Sequence, residues 1–494
     1  MCSLPGRQRS LHQIVQVKKR FQRYAFLVLM AAGIMPAATG QAWTDVGDIV
    51  FPMGGNVYPV YGDSVLDMLL VGATDERVYV PGDTLYPAGI SRWDGSTWST
   101  FPDTLQACNG VCQGIFSFSR RPGSLLVSGG FNWQDTNGLY QAYFAEWIYA
   151  EQRWQGIGCY EPVSNGIQFI VPSAVNDTLF FTGYWGSICG LPESNIFMYD
   201  GSGFHPFPLG ADIPLTSADY IGFVFRYQGL WYVTGLFQDQ QGTTRGMMRY
   251  NGAAWEPVAG FETYAPIKDV LIHNDTLYLC GYFYEGPGVP GNMVVAYDGQ
   301  TWNNLGGGIT FDDQGSTLGV THDMLFWRDK LYVCGQFYRA GGAPVEHIAQ
   351  WDGHRWCGSG ADFAPDNAIW SMTVWRDTLY VAGGFSSVNG QPASRVAQFM
   401  GSVFEEVCSP AVGLAELGRP GALHAVALGD GRWSVVLPAA NTYQVTDMRG
   451  AVVQRGRALG TGATVVDLGG LAPGMYALAV VPVHGPLQVA KLFR

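Results

Sequence analysis

A segment of the form Leu-Tyr-Val-x-Gly-x-Phe returns about every fifty residues, and no other feature of this 494-residue chain constrains its fold as tightly. The clearest copies are residues 331–337 and 379–385. Related copies are 277–283, 231–237 and 125–131, and weaker ones are 179–185 and 78–82. They share Gly82, Gly129, Gly183, Gly235, Gly281, Gly335 and Gly383. Each copy is followed by two aromatics flanking a short turn: Trp93/Trp98, Trp147/Trp154, Tyr199/Phe204, Tyr250/Trp255, Tyr297/Trp302, Trp351/Trp356 and Phe399/Phe404. Asp-Gly or Asn-Gly sits in five of these turns, at Asp94, Asp200, Asn251, Asp298 and Asp352. Such dipeptides read as two-residue type I′ hairpins, whose central positions both need φ > 0.

One unit therefore reads as four antiparallel strands. An apolar strand such as 369–375 leads through a short turn at Arg376-Asp377 to the Leu-Tyr-Val-x-Gly strand. A longer loop follows, and then two strands carry the aromatic pair. Four strands in about fifty residues make a β-propeller blade. The closing aromatics, counted from Trp43 in Trp43-Thr-Asp-Val-Gly47, predict seven blades over 43–408. The strand at Trp43 is expected to complete the last blade, which joins the two ends of the ring and removes an open edge. Composition agrees with this all-β reading: 66 glycines, 14% aromatic and only 14% charged residues.

With Gly129-Gly130, Gly383-Gly384 and the later aromatic pair, the repeats resemble kelch-type propeller repeats. They depart from kelch in keeping Gly-Gly in only two blades and in an aromatic gap that is usually five. The resemblance implies the propeller and no particular function. The sialidase-type Asp-box is excluded, because Asp94 and Gly95 are adjacent.

The N-terminus reads as a secretory signal peptide: a basic stretch ending at Arg23, twelve apolar residues 24–35, and small residues leading to a cut after Ala42. Twelve residues rise only about 18 Å as a helix, short of a membrane core. The mature chain is therefore expected to have no transmembrane helix. Residues 1–42 hold six cations and no acids, so their removal takes the net charge from −12 to −18. An acidic surface repels phosphate backbones, and nucleic acid is not an expected partner.

After Cys408 the repeat stops. Residues 409–419 read as a linker, and 420–494 as a small β-sandwich of six or seven short strands. The sandwich carries Tyr443-x-Val445-x-Asp447-Met-x-Gly450, then Asp467-Leu-x-Gly470-Leu471-x-Pro473-Gly474-x-Tyr476, then Lys491-Leu492 at the end. These motifs resemble the type A C-terminal sorting domain of the Bacteroidetes type IX secretion system. The resemblance implies that the type IX secretion machinery is a partner. It also implies passage across the outer membrane, removal of the domain, and release or surface attachment.

Loss of the leader leaves eight cysteines, an even number that suits an exported chain. Cys108 and Cys112 would close a small loop, and Cys357 and Cys408 would bridge successive repeats. Cys280 and Cys334, at equivalent repeat positions, read as buried free thiols. No CxxC pairs with zinc spacing occur.

Catalytic signatures are missing from the sequence: there is no GxSxG, HExxH or P-loop. His205, His273, His322, His347 and His354 are scattered and read as structural or surface histidines. Asn176 and Asn274 in Asn-Asp-Thr read as turn residues. The propeller's long loops share one face, where binding usually sits. Acids and aromatics such as Trp133, Tyr284 and Tyr338 mingle there. Asp312, Asp313, Asp362 and Asp366 come from two adjacent loops and are the candidate ligands for a cation, with calcium the one cofactor in view. The expectation is a monomeric, non-enzymatic, secreted or cell-surface propeller that binds glycan or protein. The alternatives are an extracellular polysaccharide hydrolase or lyase and a structural envelope component. A close carboxylate pair deep in the centre would favour the enzyme.

Overall fold

The computed structural model describes residues 43–409 and 424–493 apart from several loops, the longest being 103–113, 158–166, 214–220, 313–318 and 482–487. The proposed leader, the linker segment 410–423, Cys108, Cys112, Asp313, Asp366, Gly450 and Gly474 lie outside the described residues.

The chain is all-β, and the repeat region is a β-propeller. Among the described residues, seven antiparallel sheets follow one another, each a meander of four strands, a to d from the inside out. The a strands are Val57–Asp63, Gly114–Arg121, Ile167–Pro172, Ile221–Tyr227, Ile267–His273, Val320–Trp327 and Ile369–Trp375. Each a strand lies beside the a strands of the sheets before and after it, and the seventh lies beside the first. They form a closed ring around a central channel.

Apolar side chains of the sheets fill the spaces between successive blades. Cys280, Val294 and Met293 of blade 5 pack with Met324, Leu331 and Val333 of blade 6. Val57, Leu69 and Val71 of blade 1 pack with Trp375, Tyr380 and Val396 of blade 7. In four blades the second aromatic of the pair also ties its blade to the one before. The indole N–H of Trp98, Trp255, Trp302 and Trp356 donates to the carbonyl of Val46, Leu209, Ala259 and Leu305, at 2.8, 2.9, 2.8 and 2.5 Å. Each acceptor lies just past the preceding blade's d strand, so the aromatic repeat is a blade-to-blade latch as well as core.

The ring closes through Trp43–Asp45, which pairs with Val396–Phe399 as the outer strand of blade 7, Trp43 opposite Phe399. Phe404 is not in a strand. It is buried against Trp43, Phe399 and Tyr332. The chain then returns to blade 6, where Val407–Cys408 adds a fifth strand beside Trp356–Gly358. Cys357 and Cys408 are disulfide-bonded there. Cys189 is also in a disulfide, while Cys280 and Cys334 are free and buried.

Two readings of the repeat are corrected. Strand b of blade 1 is Met68–Ala73, whereas Val78–Val80 pairs with Asp83–Leu85 in a hairpin between strands b and c. Ala73 stands where the other blades have the repeat glycine, which hid the true copy. The Asp-Gly turns, second, are not type I′. Trp93 pairs with Trp98 across four loop residues, and only Gly95 has positive φ. The Asp94 carboxylate heads the loop and accepts the N–H groups of Ser96 and Thr97, both at 2.7 Å. Two-residue turns with both φ positive occur instead between strands a and b, at Asn274-Asp275, Arg328-Asp329 and Arg376-Asp377.

The C-terminal segment forms two sheets. One holds His424–Gly429, Arg432–Val436 and Ala463–Asp467; the other holds Val452–Arg457, Thr442–Asp447, Met475–Val481 and Gln488–Phe493. Val435 and Val466 of the first pack on Tyr443, Val445, Tyr476, Leu478 and Leu492 of the second. The motif residues are thus mostly core and turn. The Asp467 carboxylate accepts the Gly469 N–H at 2.7 Å, Leu471 N–H donates to Leu468 O at 2.9 Å, and the Tyr476 hydroxyl donates to Ala472 O at 2.7 Å. Gly470 lies in this turn, and Lys491 pairs with Ala477 in the last strand.

Candidate functional site

The two faces of the ring differ in how their polar groups are used. On the face of the a–b and c–d turns, side chains bind the blades together. Arg376 of blade 7 makes a two-pronged ion pair with Asp67 of blade 1, at 2.6 and 2.9 Å, and lies over the Trp375 ring. Arg328 of blade 6 pairs with Asp377 of blade 7 at 2.9 Å, and the Trp327 indole donates to the same carboxylate. Gln228 of blade 4 reaches Asp275 of blade 5. These contacts hold the Asp67 and Asp377 carboxyls below the usual range, chiefly through Arg376 and Arg328.

The opposite face carries the d–a and b–c loops. There the a strand of each blade is bulged near its start. Register slips between Ile115 and Ser117, Ile267 and Asp269, Thr321 and Asp323, and Ile369 and Ser371. In blades 2, 5, 6 and 7 the repeat glycine of strand b leaves room for this bulge, whereas blade 1 forms it opposite Ala73. A Cβ on Gly129, Gly281, Gly335 or Gly383 would run into the carbonyl oxygen of Gly114, Pro266, Val320 or Ala368 on the bulged strand. Bulges re-aim side chains and favour barrel rims. The bulged residues here are Phe116, Lys268, His322 and Trp370. Phe116 is 37% exposed, Lys268 is exposed, and His322 and Trp370 are half-buried. One backbone device thus repeats around the channel mouth with a different side chain in each of these blades.

One step further down lie Ser117, Asp269, Asp323 and Ser371. Asp269 Oδ2 accepts the N–H of Met324 at 3.0 Å, Asp323 Oδ2 that of Met372 at 2.6 Å, and Ser371 Oγ that of Val60 at 3.3 Å. Each tie runs from one blade to the next. The Asp269 and Asp323 carboxyls are also hydrogen-bonded to each other. Both keep a little accessible surface yet are walled in by protein, as side chains of a narrow channel must be. That enclosure is the main cause raising both carboxyls, and the Asp323 charge raises Asp269 further. The two groups are coupled, so the pair titrates as a unit above the ordinary carboxylate range. Burial, with Lys268 adding, pushes His322 down to about 4, so its imidazole is neutral at pH 7. Behind the pair, burial pushes the Cys280 and Cys334 thiols up and keeps them inert.

A pH signature follows from the pair. An unfolded carboxyl releases its proton near pH 4, whereas the native pair retains one above that. The stability it contributes is full below about pH 4 and is lost as pH rises through the raised native value. Asp323→Asn keeps an acceptor for Met372 and removes the charge. Its melting temperature relative to the parent should therefore improve between pH 4 and pH 8. An equal deficit at both pH values would contradict the shared proton.

Of the four acids proposed for a cation, the structure describes Asp312 and Asp362. Asp312 is half-buried near Tyr284; Asp362 is exposed, with its backbone bonded to Asn389. Among the described residues no three acids, histidines or cysteines converge on a metal position. The loop aromatics are committed to packing: Trp133 is buried and donates to Phe144 O, Tyr284 donates to Gly319 O, and Tyr338 packs on Phe311. His205 pairs with Asp200, and His273 stacks on Phe326. His322, read as structural or surface, is the bulged residue of blade 6 and is half-buried. Its signal was present in the sequence as the residue aligned with Lys268 and Trp370 two places before each blade's Met324-like core position.

No protein-family model matches the chain, and no curated protein matches it. Solved structures do match at low identity. PorZ, described as an essential surface component of the type-IX secretion system of Porphyromonas gingivalis, is 12% identical with a TM-score of 0.36, over 89% of this chain and 70% of that one. A protein of unknown function from Dyadobacter fermentans is 12% identical with a TM-score of 0.33, over 63% and 98%. The WD40 repeats of RRP9 are 11% identical with a TM-score of 0.39, over 72% and 99%.

Proposed function

We propose that the chain is an exported binding propeller, delivered to the cell surface or medium by the type IX secretion machinery, that recognises glycan or protein through its long-loop face. The observation that carries the binding reading is the contrast between the faces. Polar side chains of the turn face are consumed in ties between blades, while the bulged strands present Phe116, Lys268, His322 and Trp370 at the channel mouth. The export reading rests on the leader at 1–42, the sorting-domain motifs of 420–494 and a disulfide-bonded scaffold. Among the described residues no helix is long and apolar enough to cross a membrane.

The Asp269–Asp323 pair bears on the alternative reading, an enzyme acting on polysaccharide. Glycosidase carboxyls stand about 5 Å or more apart to flank the scissile bond. Two carboxyls that share a hydrogen bond are too close for that role, and both also hold a neighbouring blade's N–H. The pair fits binding better than glycoside hydrolysis.

Deleting 420–494 tests the export half. The truncated chain should accumulate folded in the periplasm and be missing from surface and medium in a fractionation experiment. Normal delivery of the truncated form would refute the sorting role.

A further inference from the structure

Resting on the reading that the long-loop face binds, we propose that the mouth of the central channel is a saccharide site that takes an uncharged sugar residue. The geometry brings together what such a ring needs. Trp370 is only partly covered and supplies apolar surface for the C–H face of a pyranose, and Phe116 holds the equivalent position two blades on. The hydroxyls of a sugar donate and accept at once, and the surrounding groups are mixed in the same way. Lys268 donates. His322, held neutral, has one nitrogen that donates and one that accepts. Below them lie the coupled carboxyls of Asp269 and Asp323, which between them offer acceptor oxygens. Blades 5, 6 and 7 are consecutive, so Lys268, His322 and Trp370 form one continuous arc.

Charge narrows the class. Lys268 is the one cation among these groups; it precedes Asp269 of the carboxyl pair in the strand, and its charge acts on His322. A polyanionic glycan would approach a mature chain of net charge −18. A cation would have to pass Lys268. A neutral, hydroxyl-rich ring meets neither obstacle. Small sites of this kind fix orientation with a few polar groups set among apolar ones.

The test uses the mature chain, residues 43–494. Neutral gluco-, manno- and chito-oligosaccharides are titrated in parallel with uronate and sulfated oligosaccharides, by saturation-transfer NMR and calorimetry. A neutral oligosaccharide should bind, and Trp370→Ala and Lys268→Ala should each weaken it at least tenfold without lowering the melting temperature. Lys268 is exposed, so that variant keeps the test alive should Trp370→Ala fold poorly. No binding in the neutral set, preference for the anionic set, or binding untouched by Lys268→Ala and by a folded Trp370→Ala overturns the proposal. Failure of the ligand class is separable from failure of the face. A silent panel with envelope binding still lost in the Lys268 and Trp370 variants removes the sugar and leaves the face. Envelope binding that survives both removes the face.

Discussion

Gly335→Val should unfold the propeller under conditions in which Gly203→Ala leaves it intact. Gly335 has ordinary φ, so the demand on it is space, not backbone freedom. A Cβ there would meet the Val320 carbonyl oxygen, and Thr321 Cα at 2.7 Å. These are backbone atoms of the neighbouring strand and cannot rotate away. Relief requires the a strand to leave the b strand at the bulge. That movement drags Thr321, whose hydroxyl donates to Met293 O and accepts the Gly281 N–H, both at 2.7 Å, binding blade 5 to blade 6. Overpacking alone costs about 1–3 kcal/mol, and each buried hydrogen bond left unmade adds about 1–3 kcal/mol. A loss of at least about 3 kcal/mol is expected on those grounds. Gly203 has open space around its Cβ position and no positive φ, so its alanine variant should stay within about 0.5 kcal/mol of the parent. Urea unfolding of the three proteins measures both. Equal stability of Gly335→Val and the parent would mean that the repeat glycine is not there to admit the bulge.

That glycine illustrates how much of the architecture could be read in advance. A residue recurring at fifty-residue spacing reports a contact made again in every blade, and Gly129, Gly281, Gly335 and Gly383 all face the same carbonyl approach. Trp43 was legible for the same reason: its following residues repeat those after Trp154 and Trp302. Blade 1 was misread where the repeat breaks, because Ala73 replaces the glycine and a more glycine-like copy, ending at Gly82, lies nearby. The turn type was misread because Asp-Gly serves two geometries. The carboxylate of Asp94 or Asp298 accepts the N–H groups two and three residues on in a four-residue loop, which a dipeptide rule does not register.

The site was less legible than the fold, and for a physical reason. Sequence distance ranks loop acids such as Asp312 and Asp362 as neighbours, because their loops are adjacent. The channel mouth is assembled instead from single residues about fifty apart, each turned by a bulge. A bulge is a backbone event, and Lys268, His322 and Trp370 share no chemistry that self-comparison would detect. What betrays them is their place immediately before Asp269, Asp323 and Ser371, the ties between blades.

Loss of binding from one face and loss of stability from the other is the second large effect expected. The faces use their side chains differently, so substitutions should separate. Combining Phe116→Ala, Lys268→Ala and Trp370→Ala removes three partly exposed groups whose truncation opens little core. Arg376→Ala instead breaks the ion pair to Asp67, a bond to Asp94 O and the contact with Trp375, all on the turn face. Exposed ion pairs contribute little each, so its cost should be modest but measurable as a lower melting temperature. The decisive measurement is the fraction of fluorescently labelled mature protein retained by the envelope of the producing cells, with a thermal melt of each variant beside it. The triple variant should lose retention at least tenfold with its melt unchanged, while Arg376→Ala melts lower and is retained as the parent is. Retention lost in a still-folded Arg376→Ala and kept in the triple variant would place the binding surface on the opposite face and contradict the account.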